Sequence, residues 1–175
     1  YNLTGSIKDR VAYQILFDAY KFGHINSDST VYEITSGNMG ISLSAICNLL
    51  GNKCEILMPK NMSEERKKII TLYGAKLNLV ENFDEGFKLC KKLEKQGKFI
   101  THQFENESNF FAHYSTTGKE IYDKLKTRKL KKIAKNSMKD LSDQAYIKMP
   151  DKKYRKYEKL LQKSRIRSDI RLKTW

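Results

Sequence analysis

The chain has 175 residues, 39% of them hydrophobic, and a net charge of +14. That length holds one domain with a real core, and no apolar run approaches a membrane span, so a helical membrane protein is excluded. Cys47, Cys54 and Cys90 are odd in number and lack a C-x-x-C pair, which excludes a disulfide scaffold, leaves too few ligands for a zinc site, and predicts buried, inert thiols in a reducing cytoplasm.

The first segment, T-G-S-I-K-D-R at residues 4–10, sets Lys8 at a turn-to-helix junction behind Gly5 and Ser6. Val11, Ile15, Leu16 and Ala19 recur at helical spacing through residues 8–22, and Gly23 reads as the stop. Residues 24–29 are polar and turn-like. Residues 30–34 form a short β-branched strand ending at T-S-G-N-M-G (35–40), and residues 38–50 are a mostly apolar helix with Gly51 as its cap. The alternation repeats. Residues 54–58 read as a buried strand ended by Pro59, and Ser63, with Glu64 and Glu65 in the first turn, opens a helix over 64–73. Residues 76–80 form a strand, Asp84 caps a helix to Gln96, and residues 98–101 form a further strand leading into H-Q-F-E-N at 102–106. Such alternation predicts an α/β fold, a parallel sheet flanked by helices in three layers. Ligands of such sheets sit at the carboxyl ends of the strands, where the loop 35–40 lies.

From residue 122 the pattern decays. Residues 1–121 carry 15 Lys+Arg against 14 Asp+Glu, whereas residues 122–175 carry 19 against 6. Residues 1–121 are therefore read as the α/β domain, with the balanced surface of a metabolic enzyme, and 122–175 as a basic tail. The tail reads either as a basic helix around Tyr154, Tyr157, Leu160 and Leu161 or as a disordered segment; a frameshift or fusion would also explain the change. Its Lys and Arg, interleaved with Tyr154, Tyr157 and Trp175, raise the alternative of a non-catalytic protein whose tail binds nucleic acid, although no recognised nucleic-acid motif accompanies them.

Two segments carry chemistry. Lys8 is placed as an amine able to bond an aldehyde; it must be partly neutral to do so, which burial near positive groups would secure. Thr35, Ser36, Gly37 and Asn38 place hydroxyls and backbone N–H groups at a helix N-terminus, a site for a carboxylate. An amine and a carboxylate loop together are what pyridoxal phosphate chemistry on an amino acid requires.

Both segments resemble those of the cysteine synthase (O-acetylserine sulfhydrylase) family of fold-type II pyridoxal 5′-phosphate enzymes. So do M-P-K-N-M-S-E-E-R-K-K (58–68), Y-G-A-K-L (73–77), H-Q-F-E-N (102–106) and T-T-G-K-E-I (116–121), and the similarity runs nearly continuously over residues 1–121. The resemblance implies the small N-terminal domain of that fold, usually in a homodimer, and β-replacement on O-acetylserine in cysteine biosynthesis. It implies that Lys8 bears the cofactor, that Asn38 bonds its ring hydroxyl oxygen, and that Thr35, Ser36, Gly37, Met39 and Gln103 form the substrate-carboxylate site; no metal is implied. Two positions depart from the pattern. Met39 stands where the family usually has threonine, removing a possible bond to a charged carboxylate worth roughly 1.5–3 kcal/mol; this suggests a related enzyme using another nucleophile, as in diaminopropionate synthesis. Glu107 stands where proline is common and is expected to reshape the loop after Gln103. No G-T-G-G-T-like phosphate loop occurs in residues 122–175, so the expectation is a truncated or rearranged copy with little or no turnover.

Overall fold

The computed structural model describes residues 2–124; the tail from residue 125 onward, with its expected helix or disorder and its nucleic-acid contact, lies outside the described residues. The elements are α1 (Lys8–Lys21), β1 (Thr30–Ile34), α2 (Asn38–Leu50), β2 (Lys53–Pro59), α3 (Glu64–Leu72), β3 (Lys76–Val80), α4 (Phe83–Lys95), β4 (Phe99–Ile100), α5 (Glu107–Ala112) and α6 (Lys119–Lys124). A π-helical stretch, His113–Gly118, joins the last two helices.

The four strands are parallel in the order β3-β2-β1-β4. The order turns back at β1: β2 and β3 extend to one side of it and β4 to the other. In doubly wound sheets the crevice opens at such a reversal, beyond the carboxyl ends of the two flanking strands. The loops after β1 and β4 therefore meet there.

Helices cover both faces, as the alternation requires. On one, Val11, Ile15 and Leu16 of α1 and Leu43 of α2 pack with Val31, Ile56 and Met58 of the sheet and Ile70 of α3. On the other, α4 covers Tyr32, Ile34, Leu57, Val80 and Ile100. Each large apolar side chain buried in this way contributes about 1.5–3 kcal/mol. Close approach of α4 requires Gly86: a Cβ there would lie 1.8 Å from Cδ1 of Ile34. The three thiols are free and buried, as expected. Burial pushes Cys90 up to about 11, while a hydrogen bond with Cys47 and burial push Cys54 upward, which disfavours the thiolate at both.

Several boundaries differ from the expectation. Asn82, not Asp84, caps α4, accepting the Glu85 N–H at 2.9 Å. Ser63 stands at the N-cap of α3 but its hydroxyl makes no capping bond to the backbone. β4 contains two residues because only Phe99 and Ile100 pair with Val31 and Tyr32. The helices after residue 106 were not anticipated. Asn106 caps α5 by accepting the Ser108 N–H, and the Ser108 hydroxyl donates to Asp18 of α1 at 2.7 Å. Glu107, expected to reshape this loop, is the first residue of α5, where its charge suits the helix dipole.

Candidate active site

The β1–α2 loop is built by Thr35. Its backbone N–H continues the sheet to Leu57, and its hydroxyl accepts the Gly37 N–H at 3.2 Å, turning the chain into α2. The first intrahelical bond runs from Ile41 N–H to the Gly37 carbonyl, so the amides of Asn38, Met39 and Gly40 form the open first turn. Ser36 and Asn38 are exposed, whereas Thr35, Gly37 and Met39 are buried. Met39 is 2% exposed, and its side chain lies in the apolar cluster between α2 and the sheet. What it offers the crevice is its amide, since the helical period turns residue 39 inward while 38 faces out.

Arg66 of α3 lies across this loop. Its guanidinium donates to the Ser36 carbonyl at 3.4 Å, and a Cβ on Gly37 would meet its Cδ at 2.4 Å. A Cβ on Gly37 would thus make the exposed Arg66 side chain swing aside.

The opposite wall follows β4. Gln103 is buried: its backbone N–H donates to Glu33 Oε2 at 3.0 Å, and its side-chain Nε2 reaches Glu33 Oε1 at 3.4 Å and the Ile34 carbonyl at 3.2 Å. The Thr101 hydroxyl also donates to Glu33. The side chain of Gln103 is therefore turned onto β1. The residue before it, His102, holds the left-handed conformation (φ 47) rare for a non-glycine residue, which folds the chain back over the strand end. Burial raises the Glu33 pKa above the ordinary carboxylate range, opposed by the donors from Thr101, Gln103 and Ile34.

Lys8, the first residue of α1, is half-buried, and its ammonium forms no hydrogen bond or salt bridge among the described residues. Burial lowers its pKa, and attraction to Glu33 partly restores it. His113, on the π-helical stretch, is lowered by burial and then by the positive charges of Lys8 and Arg10. Arg10 is tied to Asn2, to Thr117 at 3.2 Å and to Glu120 at 3.0 Å.

Sequence reasoning had not singled out Glu33, Asp9, Arg66 or His113. A charged residue inside the strand V-Y-E-I was the available signal for Glu33, since a buried charge demands partners. Lys8 feels the charge of Glu33, next to last in β1, and Ser36 and Asn38 stand exposed just after that strand. The side chains of Met39 and Gln103 are directed into the protein instead.

A model of the family described as pyridoxal-phosphate dependent enzyme matches residues 1–134. Cysteine synthase B of Salmonella typhimurium is 43% identical over 126 residues, covering 69% of this chain and 41% of that protein. A hydrogen sulfide-producing enzyme from Fusobacterium nucleatum superposes with TM-score 0.64 at 40% identity, over 72% of this chain and 40% of that one. O-ureido-L-serine synthase superposes with TM-score 0.64 at 36% identity, over 69% of this chain and 40% of that one. The chain thus spans about two fifths of the length of the relatives it matches.

Proposed function

The chain belongs to the family of pyridoxal-phosphate dependent enzymes, and we propose that it carries the lysine and carboxylate side of a site for β-replacement on an activated serine. The substrate class is O-acetyl-L-serine, and a sulfur nucleophile makes the product cysteine.

The donor set suits that cofactor. Lys8 supplies an amine that burial holds below the ordinary lysine value, and Asn38 exposes an amide at the start of α2 for the ring hydroxyl oxygen. When bound, the cofactor supplies an aldehyde for an amine and a ring that takes up electron density from the substrate α-carbon. The chain's own residues do the rest. Lys8 would hold the group through its Nζ and, as a free amine, would serve as the base for the substrate α-proton. The first-turn amides of Asn38, Met39 and Gly40, with the Ser36 hydroxyl, hold the α-carboxylate and so fix which face of the α-carbon Lys8 meets. Gln103, bonded to Glu33 and Ile34, braces the opposite wall.

The observation that carries this reading is the half-buried Lys8 amine with no ion pair among the described residues, at the end of the sheet where Ser36 and Asn38 are exposed. The reading places the protein in the cytoplasm as a homodimer; sedimentation checks the latter.

The test is borohydride trapping. The full chain is incubated with pyridoxal 5′-phosphate, reduced and mapped by mass spectrometry. Label concentrated on Lys8, and diminished when O-acetyl-L-serine but not the D-isomer is added before reduction, is the expected result. Label scattered over surface lysines, unaffected by Lys8→Ala, would overturn it.

A further inference from the structure

Asp9 follows Lys8 in sequence and is buried, at 7% exposure. Its carboxylate accepts three hydrogen bonds: Thr4 N–H at 2.7 Å, the Thr4 hydroxyl at 2.5 Å and the Ser42 hydroxyl at 2.6 Å. The two hydroxyl oxygens lie 3.4 Å apart. Thr4 belongs to the turn that delivers Lys8, closed by Gly5 N–H on the Asn2 carbonyl and by Lys8 N–H on the Ser6 hydroxyl at 3.1 Å. Ser42 is on α2, four residues after Asn38 and so on the same helix face. One carboxylate thus joins the residue beside Lys8 to the residue one turn beyond Asn38. Hydrogen bonds to an ionised acceptor are roughly twice as strong as neutral ones.

We propose that Asp9 is a positioning residue of the site: by collecting the donors of Thr4 and Ser42 it locks the Lys8 turn onto the α2 face that begins at Asn38. This rests on the role of Lys8 proposed above. Asp9 faces inward to Thr4 and Ser42, so it acts through the placement of Lys8 and touches no ligand. Without the lock, α1 and α2 still pack through Val11, Ile15, Leu16 and Leu43, but the turn bearing Lys8 keeps only its local bonds and the Arg10 bond to Asn2, and Lys8 can leave its half-buried place. Lys8 would then lose its surroundings, which include Glu33 of β1 and His113 of the π-helical stretch.

The test uses the full chain and the variants Asp9→Asn, Ser42→Ala, Thr4→Val and Thr4→Ser. Three quantities are read: borohydride-trapped pyridoxal 5′-phosphate on Lys8 per folded molecule, the pH profile of Lys8 acetylation by acetic anhydride, and Tm. Asp9→Asn should cut Lys8 trapping about 10-fold, and Ser42→Ala and Thr4→Val about 3-fold, as expected of small misplacements of a reacting group. Thr4→Ser, which keeps the hydroxyl, should restore it. In Asp9→Asn the acetylation profile should move up toward the ordinary lysine range. Should Asp9→Asn fail to fold, the Thr4→Val and Thr4→Ser pair decides alone. If variants lower Tm yet leave trapping and the acetylation profile of the folded protein at wild-type values, Asp9 is only a stabilising residue and the proposal falls. If wild-type Lys8 traps no cofactor, the function proposed above fails, and the cofactor-independent acetylation profile still decides whether Asp9 places Lys8.

Discussion

Two buried carboxylates join segments that the chain sequence holds apart, and they do so differently. Glu33 sits inside β1, and its partners Thr101 and Gln103 belong to the chain leaving β4, the neighbouring strand. Asp9 sits at the start of a helix, and its partners are a turn and a hydroxyl of the adjacent helix. Glu33 joins elements already registered by the sheet ladder, so its loss should be felt chiefly as stability. Asp9 joins a turn outside the sheet, which Arg10 holds only at Asn2, so its loss should be felt chiefly as the placement of Lys8. A buried acceptor therefore does different work according to how firmly the backbone around it is already held.

Glu33→Ala should have the largest effect on stability. It strands the Thr101 hydroxyl and the Gln103 amide without their acceptor, at a cost of about 3 kcal/mol or more, readable as a fall in the urea midpoint. Glu33→Gln sharpens the point through pH. Burial raises the folded-state pKa of Glu33, so the stability linked to its protonated form is whole below the ordinary carboxylate value and is lost as pH rises through the raised one. The wild-type stability profile should show that decline, and Glu33→Gln should remove it. The same substitution removes the charge that supports the Lys8 ammonium, so the Lys8 titration should move further down.

Gly86→Ala comes next, at about 2 kcal/mol, because its Cβ would collide with Ile34 and α4 must shift. Asp9→Asn keeps one carbonyl acceptor but turns its amide nitrogen toward a donor, and should cost about 1.5 kcal/mol while changing Lys8 reactivity. If its stability loss instead matched that of Glu33→Ala, the contrast between the two carboxylates would collapse. Asn82→Ala, which removes the cap of α4 but no partner of Asp9 or Glu33, should cost about 0.5–1 kcal/mol and leave Lys8 reactivity unchanged. Thermal unfolding with the acetylation profile checks both.

The parts of the fold that were legible in the sequence are those in which local signals agree with the tertiary environment. The strand 30–34 is β-branched and buried, α2 is apolar and stops at Gly51 with φ 78, and α1 ends before Gly23 with φ 73. The stretch 107–124 was missed because E-S-N-F-F-A-H-Y-S-T-T-G is polar, partly β-branched and only weakly periodic. It is helical through tertiary support, with Phe111 and Ala112 buried and Ser108 bonded to Asp18. The Asn106 cap was the one local sign.

The site divides in the same way. The local settings of Lys8 at the start of α1 and of Ser36 and Asn38 between β1 and α2 were legible, because a turn-to-helix junction and a strand-to-helix loop dictate them. The inward turn of Met39 and Gln103 was not, because it depends on which face of α2 meets the sheet and on the bond network around Glu33. Asp9 was hidden for a related reason. An acid in a first turn ordinarily serves the helix dipole, and only the fold brings Ser42 within 2.6 Å of it.

The most direct test of the account is the titration of Lys8 in the full wild-type chain, by competitive acetylation across pH with peptide mapping. The account predicts a midpoint below the ordinary lysine value of about 10.4, because burial outweighs the attraction of Glu33. A midpoint at or above that value would mean that Lys8 is an ordinary surface amine, and it would contradict the site described above.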